Sequence, residues 1–248
     1  MYEFIVKIAG CPVLIRALHP EAKKLFKDYL TEEAPQITIE SDANGILAER
    51  QLMKQDKDVS PYVDQFSDSR VESDYLHRLL AEGLSEYGIV LMHGSAISLD
   101  GEAYIFVAPS GTGKSTHAHL WCEAFGKRAE MINDDKPLLK CTDKGIFVYG
   151  SPWNGKHHRG DNISRPLKAI CFLERGAENL ITPLSSEDAF IPMLKAVYRS
   201  QSVECETAII QSLQKIRQKT AFYRLKCNME PEAAYVSYEG MCQERRID

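Results

Sequence analysis

An apolar run, Tyr104-Ile105-Phe106-Val107, leads into Ala108-Pro109-Ser110-Gly111-Thr112-Gly113-Lys114-Ser115-Thr116, and a helical stretch from about Thr116 to Phe125 leaves it. A glycine-rich loop between a strand and a helix has the form of a phosphate-binding loop. Gly111 and Gly113 let the backbone turn tightly and bring its N–H groups against anionic oxygens. Those donors fall at a helix N-terminus, where the macrodipole also favours an anion. Lys114 is placed to reach β- and γ-phosphates, and the Ser115 hydroxyl to hold Mg²⁺. Ser110, Gly111, Thr112, Gly113, Lys114, Ser115 and Thr116 are therefore the candidate ATP-binding residues. Ala108 stands where the strict pattern has its first glycine, so its methyl group requires φ below zero. An ordinary Ser/Gly turn is the competing account, and the strand before and helix after the loop weigh against it.

The neighbouring segments place this loop in a particular sheet. Residues 96–99 and 102–107 flank Asp100-Gly101, a two-residue hairpin signal. The strand feeding the loop then pairs antiparallel with the one before it, which predicts a mixed sheet in an α/β core. After the helix, residues 130–133 read as a short strand that ends in Asp134-Asp135. Residues 137–140 and 145–149 flank a second hairpin turn, and 166–174 form a continuously apolar, buried strand. Helices are expected over 185–198, with Pro192 as a kink, over 205–218 and over 230–238, with a strand over 221–227.

Asp134 and Asp135 are the first chemical candidates beyond the loop. One carboxylate can bind Mg²⁺ while its neighbour takes a proton from a hydroxyl nucleophile. Adjacent strand residues point to opposite faces, so the pair converges only where the strand has ended, as Pro137 suggests. Ser115 and Asp134 are the candidate metal ligands. His93, in Met92-His93-Gly94, is a candidate polar partner of the Asp pair, although a lone histidine is more often structural. His117 and His119 fall on different helix faces and do not share a metal. The basic loop 151–160 offers cations for a phosphoryl group: Arg159 first, with Lys156 and Arg165. Phe190, Leu194 and Val197 have core spacing.

Composition narrows the class. The 248 residues are 44% hydrophobic and 26% charged, with a net charge of −5, which argues against nucleic acid as the main partner. No apolar run reaches the roughly 20 residues of a membrane span. The first residues read as a strand and not as a signal peptide. Seven cysteines without C-x-x-C spacing suggest free thiols in a reducing cytoplasm.

Residues 1–87 read as an N-terminal α+β region and 88–248 as the core that carries the loop. In the first, residues 1–18 suggest a hairpin, 20–30 a helix, 37–39 a short strand, 42–55 a helix and 70–87 a longer helix ended by Gly88. The Asp-, Ser- and Pro-containing stretch 56–69 reads as a linker or surface loop.

Met92-His93-Gly94, the hairpin, Ser110-Gly111-Thr112-Gly113-Lys114-Ser115 and Asp134-Asp135 together resemble the HPr kinase/phosphorylase family, over about residues 88–140. That family shares its phosphate-loop core with phosphoenolpyruvate carboxykinases. In overall layout the chain is most similar to small HPr-kinase-like proteins associated with peptide-modification gene clusters. The resemblance implies Mg²⁺-dependent phosphoryl transfer from ATP to a serine hydroxyl, with Lys114 and Ser115 on phosphate and metal, the Asp pair serving metal and proton transfer, and His93 beside it. It also implies a homo-oligomer. Two departures stand out: Ala108, and the lack of a second glycine-rich stretch like the family's HPr-docking segment. The expected activity is therefore a kinase for a hydroxyl on a small protein or peptide. A kinase for a small metabolite and a nucleotide-gated binding module are the alternatives.

Overall fold

Ala9 and Gly10 both take positive φ, 48° and 75°, and their turn joins β1 (Tyr2–Ile8) to β2 (Cys11–Ala17) as an antiparallel hairpin. The computed structural model describes residues 1–56, 59–155 and 159–242. The chain divides into two compact units, Met1–Glu86 and Tyr87–Asp248.

In the first unit β3 (Ile37–Glu40) adds to β2 in parallel. The helix expected over 20–30 is cut short. α1 spans Glu21–Leu25, and Phe26 then leaves helical geometry and is fully buried, its ring 5.8 Å from that of Phe4. A 3₁₀ turn, Lys27–Tyr29, follows. α2 (Ala43–Met53) is capped by the Asp42 side chain, which accepts from the Gly45 N–H. The stretch expected as a linker contains a 3₁₀ helix, Ser60–Gln65, with Val63 buried. Arg50 donates to the carbonyls of Val63 and Phe66 at 2.7 and 2.9 Å, which fixes that segment to α2. α3 (Asp68–Ser85) starts at the Ser67 cap and buries Val71, Tyr75, Leu76, Leu80 and Leu84. Its Glu72 is buried and accepts from the Leu18 and His19 N–H groups, 2.6 and 3.0 Å, and from the Ser41 hydroxyl. One carboxylate thus ties α3 to the ends of β2 and β3.

The second unit is a mixed α/β structure around a curled mixed sheet. β4 (Ile89–Leu91), β8 (Leu138–Thr142) and β9 (Gly145–Tyr149) run antiparallel up to the start of the long strand β10 (Ser164–Arg175). The remainder of β10 changes neighbours. It pairs in parallel with β6 (Glu102–Val107) on one side and with β12 (Ala221–Cys227) on the other. Beyond β6 come β5 (Ser95–Leu99) and β7 (Ala129–Asn133), and beyond β12 comes β11 (Leu180–Leu184). β11 was not expected: three of its five residues are exposed and Pro183 interrupts it, so it carries little apolar pattern.

Asp100 and Gly101, at φ 52° and 86°, make the two-residue turn between β5 and β6. That turn decides what meets at one edge of the sheet. β6, β10 and β12 are parallel, so their C-terminal ends coincide. β5 runs against both β6 and β7, so its first residue and the last residues of β6 and β7 share the same edge. Ligands of α/β sheets bind at the carboxyl ends of strands. α4 (Lys114–Phe125) leaves from that edge and buries Ala118 and Trp121 against Tyr104 and Phe106. α5 (Ser186–Ala196), which contains Pro192, and α6 (Val203–Lys219) pack with a core holding Ile105, Ile170 and Phe222. Val197 is buried there, with Phe190 and Leu194 partly so. α7 (Glu232–Cys242) adds Ala233, Ala234 and Met241 to the Trp121 side. No described helix is long and apolar enough to cross a membrane.

Candidate functional site

The segment between β6 and α4 turns through Gly111 and Gly113, at φ 73° and 123°, values that an L residue rarely adopts. Gly113 is the N-cap of α4 and no side chain caps that helix, whereas Asp or Ser side chains cap α2, α3, α5 and α6. The first-turn N–H groups of α4 therefore face outward from the loop as donors for an anion. Ala108 keeps φ below zero, since positive φ outside glycine occurs only at Ala9 and Asp100 among the described residues. Its methyl group packs on the Trp121 core. The Lys114 ammonium donates to the Ala108 carbonyl at 2.9 Å. Burial pushes its pKa below the ordinary lysine value, against the pull of Asp135.

β7 ends at Asn133, whose side-chain oxygen accepts from the N–H groups of Asp135 (2.9 Å) and Lys136 (2.6 Å). This side-chain turn, more than Pro137, bends the chain so that adjacent carboxylates reach one cleft. Asn133 is itself fully buried and donates to the Ser151 carbonyl at 3.1 Å. Asp134 is buried and accepts from the Ser95 hydroxyl at 2.7 Å. Asp135 is half-buried, with His93 Nε2 at 3.5 Å and Lys136 Nζ at 3.6 Å from one of its oxygens. Burial, then Lys136 and Lys114, push the His93 imidazole down to about 4, with Asp135 opposing. Gly94 is needed next to it, because a Cβ there would lie 2.9 Å from the Phe106 carbonyl.

These groups line one cleft of about 370 Å³: His93, Ser110, Gly111, Gly113, Lys114, Ser115, Thr116, Asp134, Asp135 and Gly155. Thr112 lines a second cleft on the other side of the loop. The first cleft combines backbone donors and an ammonium suited to an anion with oxygen donors suited to a hard cation. His117 is buried away from it with its edge on Phe106, and among the described residues no cluster of three or more His, Cys, Asp and Glu is arranged for a metal.

The expected cations are placed elsewhere. Arg159 does not line the cleft: its guanidinium lies 3.1 Å from His119 Nδ1, although its carbonyl accepts from the Asp134 N–H. Arg165 pairs with Glu130 at the far end of β7. Lys156 lies outside the described residues. Three residues that the sequence did not single out touch the candidates: Ser95 bonds Asp134, Lys136 lies 3.6 Å from Asp135, and Arg175 bonds the Gly111 carbonyl. Lys136 follows the Asp pair directly, a position that could have flagged it. Arg175 ends β10 and donates to the Gly111 carbonyl, a contact only the parallel pairing of β6 and β10 creates.

A mixed-sheet α/β unit with a glycine loop and a carboxylate pair at one sheet edge is what the fold and site define. Residues 74–234 match the family described as SynChlorMet cassette protein ScmC, and the chain belongs to that family. The comparison with curated proteins returns no match. Among solved structures, the HPr(Ser) kinase/phosphatase from Coxiella burnetii is weakly similar: 10% identity, a TM-score of 0.30, 52% of this chain and 96% of that one. A TM-score that low transfers neither fold detail nor chemistry.

Proposed function

We propose that this chain is an ATP- and Mg²⁺-dependent phosphotransferase acting on a hydroxyl, serine on a small protein or peptide, with a core of the HPr kinase/carboxykinase type in residues 88–248. One observation carries the reading: the uncapped, glycine-turned start of α4, with Lys114 and Ser115, opens into the same cleft as Asp134 and Asp135. Ser110 to Thr116 supply backbone donors for the phosphates, and Lys114 exchanges the Ala108 carbonyl for a phosphate oxygen. The donor set fits Mg²⁺, which takes one or two carboxylates and completes its shell with phosphate and water. Ser115 and Asp134 would hold it, and when bound it neutralises phosphate charge.

Asp135 is the base of the pair. It is the less buried carboxylate, and Ser95 already holds Asp134. The acceptor hydroxyl gives its proton to Asp135 as its oxygen bonds to the γ-phosphorus, and the bond to the β–γ bridging oxygen breaks to leave ADP. Lys114, which lines the cleft, takes the cationic role expected of Arg159. A reducing, cytoplasmic setting suits an enzyme in which none of the seven cysteines forms a disulfide.

The test is transfer of labelled γ-phosphate from ATP to a library of serine peptides and small alcohols. Transfer to peptides that is lost in Lys114→Ala and Asp135→Asn is expected. Full transfer by either variant overturns the assignment. Tight ATP binding with no transfer to any acceptor points to a nucleotide-gated binding module instead.

A further inference from the structure

A second cleft, of about 430 Å³, opens on the opposite side of the same loop. It shares Gly111, Gly113 and Thr116 with the carboxylate cleft, but its other walls differ. One wall is the α4 face made by Thr116, His117 and Leu120. The other is built from the C-terminal ends of β10 (Leu173 to Gly176) and β12 with the residues after it (Cys227 to Met229). Leu120, Leu173 and the exposed Met229 give it apolar surface, and its volume lies within the range of small-molecule sites.

We propose that this second cleft is the nucleoside subsite, which rests on the phosphotransferase reading above. A nucleoside triphosphate whose terminal phosphates lie by Lys114 and the Asp pair must leave the loop on one side or the other. The carboxylate side is where the acceptor hydroxyl has to enter, because only there can it reach a base. Among the described residues the other side has no carboxylate aimed at the loop: Glu174, the acidic residue of its lining, pairs with Arg224 at 3.2 Å. A flat base over the floor made by the buried Leu120 and Leu173 takes the exposed Met229 side chain out of water. Arg175, already bonded to the Gly111 carbonyl, stands between the two halves, beside the position of the α-phosphate. Donor nucleotide and acceptor then approach the loop from opposite sides and do not compete for space.

Calorimetric titration of the full chain with Mg·ADP and, separately, with tripolyphosphate tests this. Met229→Ser is an exposed change that should fold normally, and Leu120→Trp fills the cleft. Affinity for ADP should fall about fivefold in Met229→Ser, as loss of one apolar contact implies, and at least about tenfold in Leu120→Trp. Tripolyphosphate should bind both variants as it binds the original protein. If both variants bind ADP unchanged while Lys114→Ala loses both ligands, the nucleoside lies elsewhere, and this inference falls while the phosphate loop stands. If the unaltered protein binds neither ADP nor tripolyphosphate, the phosphotransferase reading falls, and the subsite with it.

Discussion

His93 Nε2 stands 3.5 Å from Asp135 Oδ1, and Lys136 Nζ approaches the same oxygen at 3.6 Å. A charged imidazole would offset the carboxylate and leave it a poor base. Burial and the two lysines push the His93 pKa down to about 4, so the ring is neutral at physiological pH. Its ordinary value near 6.5 should therefore not appear in the pH dependence of the protein. A proton NMR titration of the His93 ring, assigned by loss of its signal in His93→Gln, should show no inflection between pH 5.5 and 8. An inflection near 6.5 would mean that the imidazole is solvated and unconnected to the cleft.

The two aspartates differ in surroundings and should differ in effect. Both line the cleft, but Asp134 is buried and bonded to Ser95, whereas Asp135 is half-buried beside His93 and Lys136. Asp135→Asn should lower kcat by about 10²–10⁴, the usual worth of a general base, with nucleotide affinity within about threefold of the original. Asp134→Asn should instead raise the Mg²⁺ concentration needed for half-maximal activity. Ser95→Ala strips Asp134 of a buried partner and should destabilise the fold by about 1.5–3 kcal/mol, measured by urea unfolding. Equal effects of the two Asn variants on kcat and on Mg²⁺ dependence would erase the division of labour.

What the sequence made legible was what local chemistry decides. The Asp100-Gly101 turn announced the hairpin, and with it the mixed sheet, because so few residues adopt those φ values. The paired glycines announced the loop. The placement of the cations was not legible, since it depends on where a basic loop directs its side chains. Arg159 turns toward His119, a contact 40 residues apart with no trace in spacing. Arg175 was missed for a related reason: it reaches Gly111 only because β10 lies in parallel beside β6, a pairing between strands more than 60 positions apart. The helix expected over 20–30 failed where Phe26 left the helix to pack on Phe4, tertiary burial overriding local propensity.

His117 makes the stability of the second unit depend on pH. Its Nε2 lies 3.0 Å from the Ser237 hydroxyl, which accepts from Trp121 Nε1 and donates to the Ala234 carbonyl. The hydroxyl proton being spent, Nε2 carries the ring hydrogen, and Nδ1 is buried with no partner. Protonation would bury an unpaired N–H, and burial pushes the pKa down to about 4. A depressed histidine stabilises fully above its unfolded value near 6.5, and that stability is lost as pH falls from 6.5 toward 4. Over the whole window the loss is on the order of 3 kcal/mol, of which about 2 kcal/mol falls between pH 7 and 5. The drop in Tm from pH 7 to 5 should be about 4–8 °C smaller in His117→Gln than in the original protein. Parallel Tm curves for the two would show that His117 does not titrate in that window.

Ala108 occupies the first glycine position of the strict loop pattern, and the structure explains why it can. Its φ is negative, its methyl group packs beside the Trp121 core, and its carbonyl, which any residue supplies, is what holds the Lys114 ammonium. A glycine there would gain no conformation that the loop uses. It would widen the freedom of the unfolded chain and remove a packed methyl group. Ala108→Gly should therefore bind Mg·ADP within about twofold of the original protein and lose roughly 1 kcal/mol of stability, with Tm lower by about 2–4 °C. Tighter nucleotide binding in Ala108→Gly would show that the methyl group obstructs the phosphates, and that the loop must reshape around residue 108 when they arrive.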